Sequence, residues 1–252
     1  MGDLTEEVKE FAKKFGANLV GITSAESWEA EEGHRPTNYL KGSKSVVVLG
    51  IRMLDSILDS DLHRPMIHYT KVVDGMLDQL AYKMSLMLSD RGFSAYPMDD
   101  HFPMGTMDQG YRSSQWFREF EKSPLYKSHI SGDVSFKYAA KRAGLGVYGK
   151  SGLLITPQYG PRVRFCLVLT NALLQADPPI EIDFCRGCQV CTRLCPGKAI
   201  TEEGHDSAAC FRSELVSGVS AIGIPFRFCP SYCLRKCPVG ILKEKYQIPL
   251  IR

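Results

Sequence analysis

Cys185-Arg-Gly-Cys188-Gln-Val-Cys191-Thr-Arg-Leu-Cys195-Pro196 spaces its thiols as C-x2-C-x2-C-x3-C-P, the run that holds cubane iron–sulfur clusters in two-cluster bacterial proteins. Three thiolates at three-residue intervals wrap three corners of one cube. The fourth, displaced past a further turn and stopped by proline, points away toward a second cluster. A second group of cysteines is therefore expected, and Cys210, Cys229, Cys233 and Cys237 supply it, the last again followed by a proline, Pro238. The spacing predicts one 4Fe-4S cluster on Cys185, Cys188, Cys191 and Cys237, and another on Cys195, Cys210, Cys229 and Cys233. Of the nine cysteines in the chain, Cys166 alone is left over. It lies in the apolar run Val163 to Thr170, where an inert buried thiol is expected. The second group departs from the usual spacing, because three residues, Pro230 among them, separate Cys229 from Cys233. Zinc also takes four thiolates, but its knuckles favour two separated C-x2-C pairs over a triple run ending in Cys-Pro. A disulfide framework belongs to small secreted chains.

The chain has 252 residues, 44% hydrophobic and 23% charged, enough to bury one large core or two. Its formal net charge of +3 comes without a Lys/Arg stripe of the kind that tracks phosphates, which argues against nucleic acid. Met1-Gly-Asp-Leu-Thr-Glu-Glu has no apolar signal region and no twin arginine, and no stretch reaches the roughly 18 apolar residues of a membrane span. The expectation is a soluble, cytoplasmic protein away from membranes, a compartment that keeps thiols reduced.

Helix and strand signals alternate. Val8, Phe11, Ala12 and Phe15 share one helical face, and Gly16 stands where a C-terminal cap is expected. Asn18 to Thr23 and the valine-rich Ser45 to Ile51 read as short buried strands. From Tyr69 to Arg91 the residues Val73, Leu77, Leu80, Ala81, Met84 and Leu88 repeat with helical spacing, and Gly92 ends the run. Phe93 to Met98 reads as a strand leading into a long irregular stretch, Asp99 to Gly132, which holds His101, Tyr111, Tyr126 and His129. Loops of that length inside compact domains are often functional. Asp177-Pro178-Pro179 reads as a linker, since paired prolines stop regular structure. The division expected is a core over 1–180 and a cysteine module with tail over 181–252.

Gly144-Leu-Gly-Val-Tyr-Gly149-Lys150-Ser151 satisfies both GxxxxGK[ST] and GxGxxG. A phosphate loop needs a strand before it and a helix after it, so that helix-terminal amides face the phosphates. Here Phe136 to Ala143 reads as a helix before the loop, and Leu153 to Thr156 as a strand after it. The order is reversed. What remains is either a sharp helix-to-strand turn or a loop that comes close to a cofactor, since glycines permit both.

Ala139-Ala-Lys-Arg-Ala-Gly-Leu-Gly-Val-Tyr-Gly-Lys150, Leu153-Leu-Ile-Thr-Pro-Gln-Tyr-Gly160 and Val168-Leu-Thr170, joined to the two cysteine groups, resemble the epoxyqueuosine reductase and reductive dehalogenase superfamily. Gly16-Ala-Asn-Leu-Val-Gly-Ile22 and Ser45-Val-Val-Val-Leu49 are similar to its opening. The resemblance implies an α+β fold, a nitroreductase-like core with a C-terminal two-cluster ferredoxin-like module. It also implies that the clusters deliver single electrons to a corrinoid (cobalamin), fed by a low-potential donor such as ferredoxin or flavodoxin. The cofactor then carries the hard chemistry while the protein orients it and excludes water. In that setting Gly144, Gly146, Tyr148, Gly149 and Lys150 are the candidate cofactor-binding residues. Lys150 either meets a phosphate or propionamide of the cofactor or only covers the turn. A nitroreductase-like core also supports flavin chemistry in other families, which makes flavin the weaker expectation.

The resemblance has departures. Epoxyqueuosine reductases place an acidic proton donor thirteen residues before the alanine of the AGLG stretch, and that position is Ile130 here. Asp133 either replaces it or caps the following helix, the latter favoured for an acidic residue just ahead of a helix. His101, His129 and Tyr111 are the other candidate catalytic residues, since a histidine near neutral pKa suits proton delivery after electron transfer. Longer relatives carry a C-terminal helical-repeat extension, whereas this sequence ends at Arg252. The expectation is therefore a small-molecule substrate, with tRNA unlikely. The alternative is an electron-transfer or corrinoid-activating iron–sulfur protein without substrate turnover of its own.

Overall fold

The computed structural model describes residues 3–26, 28–29, 34–59, 63–98, 134–202, 204–207, 209–210 and 231–240. The chain divides into two compact units, 1–51 with 71–144 and 165–178, and 52–70 with 145–164 and 179–252. One break falls between Pro178 and Pro179. The second unit also takes two segments that a division at residue 180 assigns to the core.

The first unit is built on a sheet of order β1-β2-β6-β3. Its strands are β1 (Leu19–Ser24), β2 (Ser45–Arg52), β3 (Ala95–Met98) and β6 (Val163–Thr170). β1 runs antiparallel to β2, from Leu19 opposite Gly50 to Ser24 opposite Ser45. β3 pairs antiparallel with β6, from Ala95 opposite Thr170 to Met98 opposite Leu167. Every residue of β2 from Ser45 to Ile51 is buried, so its valines form a continuous run because both faces are covered.

Helix α1 (Leu4–Lys14) lies against β1. Asp3 starts it by accepting a hydrogen bond from the Thr5 amide at 3.0 Å, and Gly16, at φ +108°, ends it in a conformation that glycine adopts without strain. Val8 and Ala12 are buried, but Phe15, expected on the same face, is 43% exposed. The helix stops at Lys14, so Phe15 leaves the buried face and stacks on Phe11 instead, the ring centroids 4.4 Å apart. α2 (Pro36–Tyr39) is a single turn. The long helix α4 (His63–Ser89) begins earlier than the periodicity predicts; Pro65 falls in its first turn, where the missing N–H costs nothing. It reaches β6 through Leu77, whose carbonyl accepts from the Cys166 thiol at 3.4 Å. Cys166 is fully buried, the inert position expected of it.

Helix α5 (Phe136–Arg142) also lies against β1. Its N-cap is Ser135, whose hydroxyl accepts from the Tyr138 amide at 3.3 Å. The capping role expected of Asp133 therefore belongs to Ser135, two residues nearer the helix. Asp133 itself lies outside the described residues.

Asp177 is more than linker. Its amide donates to the Ile22 carbonyl at 2.8 Å, its carboxylate accepts from the Ile22 amide at 2.9 Å, and it pairs with Lys9 at 2.6 Å. Asp177→Ala strands the Ile22 amide at the edge of β1. It is expected to cost about 1–3 kcal/mol, read as a lower midpoint in urea unfolding.

The second unit contains α3 (Asp55–Leu58), the hairpin β4 (Val147–Tyr148) and β5 (Leu154–Ile155), α6 (Val190–Leu194) and α7 (Tyr232–Arg235). Met53 and Leu58 form a small core with Tyr69 and Leu234 packed against it. Among the described residues, no helix is long and apolar enough to cross a membrane.

Candidate functional site

The cysteine run folds as its spacing demands. The Cys185 amide donates to the Asp183 carboxylate at 3.1 Å, and the Cys188 amide to the Cys185 carbonyl at 3.1 Å, so Cys185 and Cys188 stand on one tight turn. Cys191 sits in the first turn of α6, which ends at Leu194. Pro196 disfavours helical backbone in the residue before it, and Cys195 accordingly takes φ −69° and ψ 112°. That extended backbone takes Cys195 out of the helix that carries Cys191.

The electrostatics group the thiols in the same way. Burial pushes the Cys191 thiol up, Cys185 and Cys188 add to the rise, and backbone hydrogen bonds at Thr192 and Cys191 oppose it. Burial also raises Cys237. The Val239 amide and the Arg162 guanidinium counter that rise, and the same Cys185 and Cys188 reinforce it. Binding an iron at either thiol displaces its proton. Cys237, distant in sequence, lies in the field of the first run.

Cys195, Cys210 and Cys233 line one chamber, together with Pro196, Ala199, Ile200, His205 and Tyr232. Its empty space is about 310 Å³, counting the mouth. The Cys195 sulfur accepts from the Ala199 amide at 3.3 Å, the kind of contact that tunes cluster potentials. A bridge between Ile200 and His205 brings the chain back to Asp206, whose carboxylate accepts from the Ala209 amide at 2.9 Å. The Asp206 carbonyl accepts from the Cys210 amide at 3.0 Å, which fixes Cys210. Cys233 stands in α7, entered through Ser231 at φ +53°. Cys229 lies outside the described residues.

The donor chemistry fits cubane clusters. Among the described residues, no three thiol, imidazole or carboxylate side chains form a group that would share one metal ion. A cube spreads its ligands over four separate irons, so its thiolates need not converge on a point. Beside Cys191, the Thr192 hydroxyl is buried with no hydrogen-bond partner among the described residues. Such orphans are rare without cause, and the sulfur of an adjacent cube would accept its hydrogen.

The glycine-rich loop is a hairpin, with Val147 opposite Ile155 and Tyr148 opposite Leu154; the helix-before, strand-after order rules out a phosphate loop. A Cβ on Gly146 would come within 2.5 Å of the Ile155 carbonyl oxygen, and one on Gly149 within 2.8 Å of the Ile155 side chain and 3.4 Å of the Cys185 sulfur. These two glycines face their own chain, and Gly149 brings the hairpin up to a proposed cluster ligand. Lys150 pairs with Glu202 at 3.2 Å, which leaves Tyr148, 42% exposed, facing outward. Gly144 ends α5 at φ +69°, the left-handed cap position. His101, Tyr111 and His129 lie outside the described residues.

Sequence reading passed over Arg162, which is 2% exposed. It donates to the carbonyls of Val239 at 3.1 Å, Arg235 at 2.9 Å and Cys237 at 3.0 Å. It also pairs with Asp55 at 3.2 Å. The available signal was a charged residue directly ahead of the buried strand β6. Gly160 and Gly240 were passed over too. They sit back to back at φ +57° and φ +74°, a Cβ on the first overlapping the Val239 carbonyl and one on the second overlapping Tyr159 and Gly160 backbone.

No protein-family model matches the chain. Over 207 residues, 79% of this chain and 62% of the relative, it is 29% identical to an epoxyqueuosine reductase of Synechococcus sp. (strain RCC307). Over 66 residues, 25% of this chain and 13% of the relative, it is 48% identical to a tetrachloroethene reductive dehalogenase of Sulfurospirillum multivorans. The chain thus spans less than two thirds of either relative. An epoxyqueuosine reductase solved with an epoxyqueuosine-modified tRNA stem loop superposes with a TM-score of 0.62 at 19% identity, covering 98% of this chain and 68% of that one. A reductive dehalogenase described as B12-dependent gives 0.59 at 20% identity, covering 84% of this chain and 29% of that one. The fold is a mixed α and β fold similar to those of epoxyqueuosine reductase and reductive dehalogenase. Over most of its length the chain is similar to members of the epoxyqueuosine reductase and reductive dehalogenase superfamily.

These relatives correct one expectation. A small-molecule substrate with tRNA set aside rested on the missing carboxylate at Ile130, on modest net charge and on where the sequence ends. Relatives that match 79% and 81% of this chain are epoxyqueuosine reductases, and a structural neighbour was solved with a tRNA stem loop.

Proposed function

We propose that this protein is an iron–sulfur oxidoreductase of the epoxyqueuosine reductase type. Its two thiolate sets hold two 4Fe-4S clusters that pass single electrons to a reductive site, and its substrate is epoxyqueuosine in RNA. The observation that carries the reading is the gathering of Cys195, Cys210 and Cys233 around one chamber, while Cys237 lies in the field of Cys185 and Cys188. Thiols from opposite ends of the module are exchanged between the sets, as two adjacent cubes require. A corrinoid, when bound, supplies a cobalt centre that cycles by single electrons. The chain's own part is to hold the half-buried thiolates and to supply amide and hydroxyl hydrogens to sulfur at Ala199 and Thr192.

The test is anaerobic reconstitution with iron and sulfide, addition of hydroxocobalamin and desalting. A stoichiometric base-off corrinoid spectrum is expected, and loss of all corrinoid on desalting contradicts the corrinoid part. With reductant and an epoxyqueuosine-modified stem loop, conversion to queuosine is expected. A fully loaded protein that leaves the stem loop unchanged contradicts the substrate.

A further inference from the structure

Arg162 has no role in the function proposed above, yet it is a buried cation whose guanidinium meets four partners among the described residues. Burying a guanidinium is costly unless it is paired and its donors are filled. Asp55 pairs it at 3.2 Å, the two side chains 3% and 17% exposed, and the Arg235, Cys237 and Val239 carbonyls take three more of its five hydrogens. Those three carbonyls belong to one short stretch, Arg235 to Val239, that carries Cys237-Pro238. The planar fork of an arginine fixes such a turn where a lysine, a point charge on a flexible stem, does not.

The partner carboxylate is anchored as well. Asp55 opens α3, and the Leu58 carbonyl at the end of that helix accepts from Arg235. The Met53 amide donates to the Arg162 carbonyl at 2.7 Å. The Cys237 turn is thus braced through Arg162 and through Arg235, with α3 as the strut between them.

We propose that Arg162, balanced by Asp55, is the residue that positions Cys237 and sets the reduction potential of the cluster this thiolate ligates. The inference rests on the assignment of Cys237 to the first cluster. Reduction adds one electron to the cluster, and a fixed positive charge beside a ligating sulfur stabilises the reduced state over the oxidised one. Asp55 offsets part of that charge. Removing the arginine therefore lowers the potential, and removing the carboxylate raises it.

The experiment uses the full chain, reconstituted anaerobically as wild type, Arg162→Gln, Asp55→Asn and Cys237→Ala. Iron per chain is measured, and both clusters are titrated by EPR. One potential is expected to move down in Arg162→Gln and up in Asp55→Asn, the other staying at its wild-type value. The cluster that moves is the one lost in Cys237→Ala. A merely structural role for Arg162 would change iron content without opposite shifts. Should Arg162→Gln fail to fold, Asp55→Asn decides alone. Unmoved potentials, or shifts of the same sign, overturn the proposal while the ligand assignment stands. A Cys237→Ala protein that keeps both clusters overturns the assignment itself.

Discussion

Gly160→Ala is expected to abolish the cluster that depends on Cys237 while leaving the first unit folded. Gly160 sits at φ +57°, and an added Cβ would overlap the Val239 carbonyl, two residues beyond Cys237. The opposing atoms are backbone, so no side-chain rotation relieves the overlap. A non-glycine residue held in the left-handed region costs about 1–3 kcal/mol, and overpacking typically adds about 1–3 kcal/mol. The whole of that cost falls on the contact between the Tyr159-Gly160 turn and the Val239-Gly240 turn. Separating the turns relieves it, at the expense of the three carbonyl hydrogen bonds to Arg162. Gly240→Ala meets the same barrier from the other side, because its Cβ would overlap Tyr159 and the Gly160 amide. In both variants iron is expected to fall to about half, to one remaining four-iron cube. Wild-type iron content in either would show that the turns do not fix Cys237.

The second large effect concerns the two cysteines that precede proline. Cys195→Ala is expected to destroy the cluster of Cys210 and Cys233, whose chamber it lines, and to spare the one built on Cys185, Cys188 and Cys191. Cys237→Ala is expected to do the reverse, since Cys185 and Cys188 both act on its thiol. Each substitution thus damages the cluster opposite its own motif. EPR of the reduced proteins distinguishes the survivors, because each cube has its own signal. If each variant loses the cluster of its own motif, the exchange of ligands is wrong.

Much of this was legible in the sequence, and the reasons are local. The valine run Ser45 to Ile51 and the helical repeat from Val73 to Leu88 announce themselves because burial imposes a period. Pro196 announces the extended backbone of Cys195 because proline restricts the residue before it. The glycine loop was harder to place. Its strands, Val147–Tyr148 and Leu154–Ile155, are two residues each, too short to show alternation, so packing of Gly146 and Gly149 on Ile155 looked the same as approach to a cofactor. Asp133 and Ser135 are equally good caps by residue type, and only the hydrogen bond to the Tyr138 amide separates them. Arg162 leaves no periodic trace, because its partners come from residues 55 and 235–239, and that juxtaposition exists only once the second unit has folded.

The central claim is that the two thiolate sets hold two cubes, and iron and acid-labile sulfide counted per chain after anaerobic reconstitution test it most directly. The account predicts about eight of each, four for each cube. Saturation at about four, with Cys210 and Cys233 still open to alkylation, would contradict it.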